Sequence, residues 1–256
     1  MKKRIEYLRV TKNERIKPDY YLLKLQSENN LPLILPGQFV EIKIENSPST
    51  FLRRPISIHD VNYDKNIISL LIRIAGNGTK ELSEISVGDH LNIIYPLGNS
   101  FSIPLNNKVL IVGGGCGVAP MLYTAKYFVS FGIIPSILLG YRNSKSIMLK
   151  DKYAKYGNIF YATDDGSYGE KGTVLEHSLF SKESFNYDKI YACGPEIMLK
   201  NIGNWAIENN VECEVSLENL MACGLGACLC CVQKTVDGHK CVCTEGPVFN
   251  VKDLVW

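Results

Sequence analysis

The chain has 256 residues, a formal net charge of +2 and 46% hydrophobic residues. That charge argues for neither nucleic acid nor an anionic membrane surface as a partner, and that apolar fraction suffices for packed cores, which at this length means roughly two domains. The start, Met1-Lys2-Lys3-Arg4-Ile5, lacks the apolar run of a secretion signal, and the longest apolar stretches, 109–112 and 133–139, are far too short to span a bilayer. A cytoplasmic protein without a membrane partner is therefore expected.

Residues 1–100 carry short runs rich in β-branched and aromatic residues at 5–10, 20–25, 39–44, 67–74 and 91–95, punctuated by Pro36-Gly37, Gly76-Asn77-Gly78, Gly88-Asp89 and Pro96-Leu97-Gly98. A short helix is expected over 79–85. Strands in such succession predict a small antiparallel β-barrel. From about Lys108 the rhythm changes. Strands at 109–112, 136–139, 158–163, 189–193 and 212–217 alternate with helices at 119–131, 144–156 and 196–209, which predicts a parallel α/β sheet. The fold class is thus α/β plus β, with units at 1–102, 103–217 and a small cysteine-bearing tail at 218–256.

The first sheet strand runs into Gly113, Gly114, Gly115, Cys116 and Gly117, followed by Val118, Ala119 and Pro120 at a helix start. Glycines allow close backbone approach, and a helix N-terminus attracts a phosphate. A tight strand-to-helix turn needs the same residues. Val118 breaks the strict G-x-G-x-x-G pattern, and no Gly-Lys-Ser/Thr follows for a Walker loop.

Seven of the nine cysteines lie in the last 44 residues. Clustered thiols without a secretion signal point to metal or redox chemistry before disulfides. Cys223, Cys228 and Cys231 follow the C-x4-C-x2-C spacing that holds three corners of a [2Fe–2S] cluster in plant-type ferredoxins. Zinc favours paired C-x2-C knuckles, although zinc at these thiols remains an alternative. Cys230 adjoins Cys231, and both cannot easily reach one iron. Strand alternation does not choose a fourth ligand between Cys241 and Cys243, which face the same side. Cys213 reads as core.

Arg54-Pro55-Ile56-Ser57 resembles the R-x-Y-S flavin motif of the ferredoxin–NADP reductase superfamily, and Arg73 to Thr79 its second flavin element. Residues 113–120 resemble its pyridine-nucleotide loop and Cys193-Gly194-Pro195 its C-G-P motif. With the cysteine tail ending Val242-Cys243-Thr244-Glu245-Gly246-Pro247-Val248-Phe249, the ordered set resembles the electron-transfer subunits of type B, NAD-dependent dihydroorotate dehydrogenase over nearly the whole chain.

The resemblance implies that Arg54 pairs with the FAD pyrophosphate and that Ser57 sits near the reactive ring edge. It also implies that Leu71, Ile72 and Arg73 flank the flavin, with Gly78 and Thr79 offering donors to phosphate. Ile56 departs from the tyrosine of many relatives, so no ring stacking is expected there. Gly113, Gly114, Gly115, Gly117, Val118, Ala119 and Pro120 would hold the NAD(H) pyrophosphate, with Cys193, Gly194 and Pro195 near the nicotinamide. Hydride transfer needs no nucleophile, so no residue is assigned as catalytic, and Cys116 reads as a packed thiol. The family motif selects Cys243 as the fourth cluster ligand, with Gly224 and Gly226 turning amides toward sulfur.

Asp164 and Asp165 would repel a 2′-phosphate near the ribose, whereas Arg142 would favour one. The sequence does not place them. The implied partner is an FMN-containing catalytic subunit, two of each subunit per complex, with electrons passing from dihydroorotate to NAD⁺ in pyrimidine biosynthesis. The competing readings are the electron-transfer subunit of a sulfide dehydrogenase, a hydrogenase γ subunit or a transhydrogenase small subunit, and a zinc-stabilised nucleotide-binding regulator.

Overall fold

Apolar alternation builds the first sheet. In a computed structural model that describes residues 3–45, 50–183 and 185–256, β1 (Arg4–Lys17) buries Leu8 and Val10 and exposes Arg9 between them. Met1 and Lys2 of the charged start lie outside the described residues. β2 (Tyr20–Gln26), β3 (Phe39–Ile42), β4 (Arg54–Ser57), β5 (Asp60–Asn62), β6 (Ile67–Arg73) and β7 (His90–Leu97) complete an antiparallel sheet in the order β4-β3-β7-β1-β2-β6-β5. The sheet curls until β4 meets β6, and its interior is filled by Leu23, Leu25, Val40, Ile42, Ile93 and Tyr95. α1 (Asn77–Ser83) follows β6 and buries Leu82.

Two strands of this first sheet escape the sequence reading for a physical reason. β4 is only half-buried at all four residues, because its face lines a cleft and not the barrel core. β5 has three residues, too few for a periodicity. β1 also runs past the expected 5–10, through a register shift between Val10 and Lys12, into a largely polar half.

The second sheet is parallel through β8 (Val109–Gly114), β9 (Ser136–Tyr141), β10 (Asn158–Thr163), β11 (Glu170–Lys171), β12 (Lys189–Cys193) and β13 (Glu212–Ser216), in the order β11-β10-β9-β8-β12-β13. α2 (Val118–Val129) follows β8. The expected helix at 144–156 is broken. The Asn143 side chain accepts the Ser146 N–H, turning the chain after one short 3-10 turn, and Leu149 takes φ 51°. Only the four residues of α3 (Lys150–Tyr153) are α-helical. α4 (Glu196–Glu208) follows β12, close to expectation.

The tail forms an irregular cysteine loop and then a hairpin of β14 (Val232–Thr235) and β15 (Gly238–Cys241). It ends in β16 (Val248–Asn250), which joins the edge of the parallel sheet antiparallel to β13. The tail is therefore stitched into the second sheet. Asn99, just past β7, binds it to the barrel as well: its amide donates to Glu245 O and Val248 O, both at 2.8 Å, and its Oδ1 accepts from Val248 N at 3.0 Å.

Barrel and parallel sheet meet across α2. Lys126 donates to Asp60 and to Val61 O at 2.7 Å each, and Tyr123 to Ile34 O at 2.9 Å. Buried His59 donates from Nδ1 to Ala119 O at 2.7 Å. This seam places β4, β6 and the glycine turn around one cleft.

Candidate redox centre

Each wall of the cleft comes from a different part of the chain. Arg54, Pro55, Ile56 and Ser57 line it from β4, and Leu71, Ile72 and Arg73 from the end of β6. Thr79 contributes from α1, Gly117, Ala119 and Pro120 from the glycine turn, and Cys193 from the end of β12. Residues more than a hundred positions apart in sequence thus face one space, because the ends of β4, β6, β8 and β12 converge at the seam.

Arg54 and α1 make the electropositive corner. An ideal Cβ on Gly78 would lie 2.7 Å from Arg54 Nε, so only glycine lets the guanidinium lie across this helix. Among the described residues Arg54 makes no side-chain hydrogen bond, and the first-turn N–H groups of α1 have no side-chain cap. A free guanidinium beside free amides fits a pyrophosphate. The Thr79 hydroxyl is already engaged. It donates to Gly76 O at 3.0 Å and accepts from Ala75 N and Gly76 N, so Thr79 has its backbone N–H left to offer.

The glycines of the nucleotide turn divide by what surrounds them. A Cβ on Gly117 would meet the Cys193 backbone at 2.3 Å, and one on Gly114 would meet Met198 Sδ at 2.4 Å. Gly194 has Met198 Cε at 2.4 Å, and Gly113 has Val118 Cα at 3.0 Å. These four let chain pack on chain, pressing the turn against Gly194-Pro195. Gly115, at φ 54°, has nothing within 4 Å, so its surface is open to a ligand. Of the residues expected at the nucleotide, Gly117, Ala119, Pro120 and Cys193 line the cleft; Gly113, Gly114, Val118, Gly194 and Pro195 form the turn behind it.

Neither thiol in the cleft is poised for nucleophilic attack. Burial, reinforced by the Glu218 carboxylate, raises the Cys193 thiol far above its ordinary range. Burial likewise lifts Cys116 to about 11, Glu218 again adding to it. Glu218 lines the cleft together with Ser216, Leu217, Asn219 and Met221. The sequence reading missed this wall. Its only linear signal is position, since these residues join the last parallel strand to the first cluster cysteine.

Beyond Met221 the chain enters the cysteine loop. Gly224 and Gly226 take φ 64° and 82° and turn their neighbours' amides inward. Leu225 N donates to Cys223 Sγ at 3.3 Å, Gly226 N to Cys243 Sγ at 3.2 Å, and Cys243 N to Cys231 Sγ at 3.4 Å. The Leu225 and Cys228 amides hold the Cys223 thiol down at about 6, so it ionises readily. Cys243 is pushed up to about 12 by burial and the neighbouring Cys231 thiol. Among the described residues no such amide is directed at Cys230 or Cys241, and the Cys241 N–H goes instead to Glu245 at 2.8 Å. No three His, Cys, Asp or Glu side chains among the described residues gather tightly enough for a single ion. Amides aimed at sulfur and a thiol ready to ionise fit an iron–sulfur cluster.

The loop also presents Leu220, Leu225 and Leu229 to solvent, at 85%, 49% and 63% exposure, beside exposed Cys228 and Cys230. At the far edge, Arg142 and Asp164 stand on adjacent loops at the ends of β9 and β10. Asp164 N donates to Tyr141 O and Asp165 N to Arg142 O, so the acids and the arginine share one rim.

Three segments of the chain match known families. Residues 7–101 match the oxidoreductase FAD-binding domain, 111–203 the oxidoreductase NAD-binding domain, and 218–255 the iron–sulfur cluster binding domain of dihydroorotate dehydrogenase B. The chain is 37% identical over 258 residues to the dihydroorotate dehydrogenase B (NAD(+)) electron transfer subunit of Fusobacterium nucleatum, covering 98% of each. It is 38% identical over 250 residues to that of Desulforamulus reducens, covering 94% of each. Among solved structures, an NADH-dependent reduced ferredoxin-NADP oxidoreductase studied for flavin-based electron bifurcation superposes with a TM-score of 0.86 at 29% identity, over 97% of this chain and 90% of that one. Among the described residues no helix is long and apolar enough to cross a membrane.

Proposed function

The chain belongs to the electron transfer subunits of dihydroorotate dehydrogenase B (NAD(+)), and on that premise we propose how its own residues do the work. It is an oxidoreductase subunit with FAD-, NAD- and iron–sulfur-binding segments, serving pyrimidine biosynthesis. When bound, the [2Fe–2S] cluster relays single electrons, FAD converts between one-electron and two-electron chemistry, and the nicotinamide of NAD⁺ takes up hydride.

Arg54 and the first-turn amides of α1 hold the FAD pyrophosphate, with Gly78 giving the guanidinium its room. Pro55, Ile56, Ser57, Leu71, Ile72 and Arg73 form the flavin bed, Ser57 nearest the reactive edge. Gly115 and the start of α2 receive the NAD(H) pyrophosphate, while Gly113, Gly114, Gly117 and Val118 shape the turn. Cys193, Gly194 and Pro195 bound the nicotinamide end, where a buried, protonated thiol offers a small uncharged surface. Cys223, Cys228, Cys231 and Cys243 hold the cluster. We divide the chain at 1–102, 103–217 and 218–256 on this basis.

The single observation that carries this reading is the continuity of the cleft. Arg54, Gly117, Cys193 and Met221 line one space, and Met221 stands two residues before Cys223 in the chain. Leu220, Leu225 and Leu229 form the docking patch for an FMN-containing catalytic partner, two of each subunit per complex, in the cytoplasm. Anaerobic purification with the native partner tests it. FAD, two irons and two acid-labile sulfides per chain, in a complex that oxidises dihydroorotate with NAD⁺, are expected. A colourless protein, or one that binds zinc in place of iron, would sink the reading.

A further inference from the structure

β3 alternates Val40 and Ile42 into the barrel core and so turns Glu41 to the opposite face. That face is covered by the cysteine loop. An ideal Cβ on Gly224 would lie 2.7 Å from Glu41 Cδ and 2.8 Å from its Oε1, so the carboxylate presses on the residue directly after Cys223. Glu41 is fully buried, and neither carboxylate oxygen has a hydrogen-bond partner, which holds for no other buried carboxylate among the described residues.

The nearest cation does not relieve it. Arg53 spends its guanidinium on Asn92 O at 3.0 Å, on Asn92 Oδ1 at 2.5 Å and on the Glu41 backbone carbonyl at 3.4 Å. It acts on the carboxylate only through space. A buried acid without donors is costly to keep, and a packed apolar residue would fill the place more cheaply.

We infer that Glu41 lowers the reduction potential of the iron–sulfur cluster from outside its ligand set. Reducing the cluster adds one electron and hence one negative charge beside Cys223. Burial pushes the Glu41 carboxyl up to about 7; above that pH it is a carboxylate, and pressed against the same turn it opposes that charge in a medium that screens it poorly. Net charge around a cluster is one of the levers on its potential. Arg53 pulls the other way, so the pair sets the local field.

The inference rests on Cys223 being a ligand, and the experiment separates the two. The holo complex, the Glu41→Gln variant and an exposed control, Glu28→Gln, are titrated potentiometrically at pH 8.5 with the cluster followed by electron paramagnetic resonance. Glu41→Gln keeps the shape and removes the charge. A positive shift is expected, at least threefold in the equilibrium for cluster reduction, or about 28 mV for one electron. Glu28→Gln should match wild type, and iron, sulfide and FAD contents should not change. A fully loaded Glu41→Gln complex with an unmoved or more negative potential overturns the inference. If Glu41→Gln fails to assemble, Arg53→Gln decides: loss of the cation should shift the potential negative, and no shift overturns it. Wild-type protein lacking labile sulfide refutes the ligand assignment and this inference with it.

Discussion

Arg54 lies across the start of α1 only because residue 78 is glycine: Arg54 Nε is 2.7 Å from where a Gly78 Cβ would stand. The atom in the way belongs to a flexible side chain, so Gly78→Ala displaces the arginine and leaves the backbone alone. Alanine also favours a helix over glycine by about 1 kcal/mol. We expect Gly78→Ala to keep or raise Tm while weakening FAD retention roughly ten- to a hundredfold, the worth of one charge-assisted hydrogen bond. Flavin release measured by fluorescence, beside a melting curve, checks both halves.

The proposed cluster ligands should separate from the other thiols by substitution. Cys243 accepts the Gly226 amide at 3.2 Å, whereas the Cys241 backbone is tied to Glu245. Cys223→Ser and Cys243→Ser should each abolish the reduced-cluster resonance, and Cys241→Ser should retain it with full iron. The reverse pattern for residues 241 and 243 would reassign the fourth ligand.

His59 makes stability fall on the acid side. Burial holds its imidazole down at about 4 from an ordinary 6.5, against the opposing pull of the Ala119 carbonyl. The folded state keeps the ring neutral, so the unfolded chain takes up more protons below pH 6.5. The contribution is fully present above 6.5 and is lost as pH falls toward 4, reaching about 3 kcal/mol. Tm should drop through that window, and His59→Gln should flatten the profile. A wild-type profile level between pH 6.5 and 4 would contradict it.

Two glycines in one turn should respond differently. Gly117 stands 2.3 Å (ideal Cβ) from the Cys193 backbone, which cannot yield as a side chain can, while Gly115 faces open space at φ 54°. Gly117→Ala should cost about 1–3 kcal/mol by overpacking and lower Tm. Gly115→Ala should cost about 1 kcal/mol of backbone strain and should act mainly on NADH affinity, read by flavin reduction at varied NADH.

What was legible in the sequence follows from local chemistry. Strands with one buried face betray themselves by alternation, as Leu8 and Val10 do, and the parallel strands by short apolar runs such as Val109–Gly114. Cysteine spacing is local too, so the C-x4-C-x2-C loop could be read before any fold was known. The break near Leu149 could not, because one Asn143 side chain redirects a segment whose composition favours a helix. Nor could β4, whose half-buried residues answer to a cleft and not to a core.

By itself the sequence determined most of the longer elements, their order and the thiol spacing proposed to hold a cluster, since each depends on residues within a turn or two of one another. Only the tertiary structure decided which glycines serve packing and which face open space, that Glu218 walls the cleft, and that Glu41 lies buried against the turn after Cys223. Those relations join residues tens to hundreds of positions apart. Their energies come from burial and close approach, which no linear pattern carries.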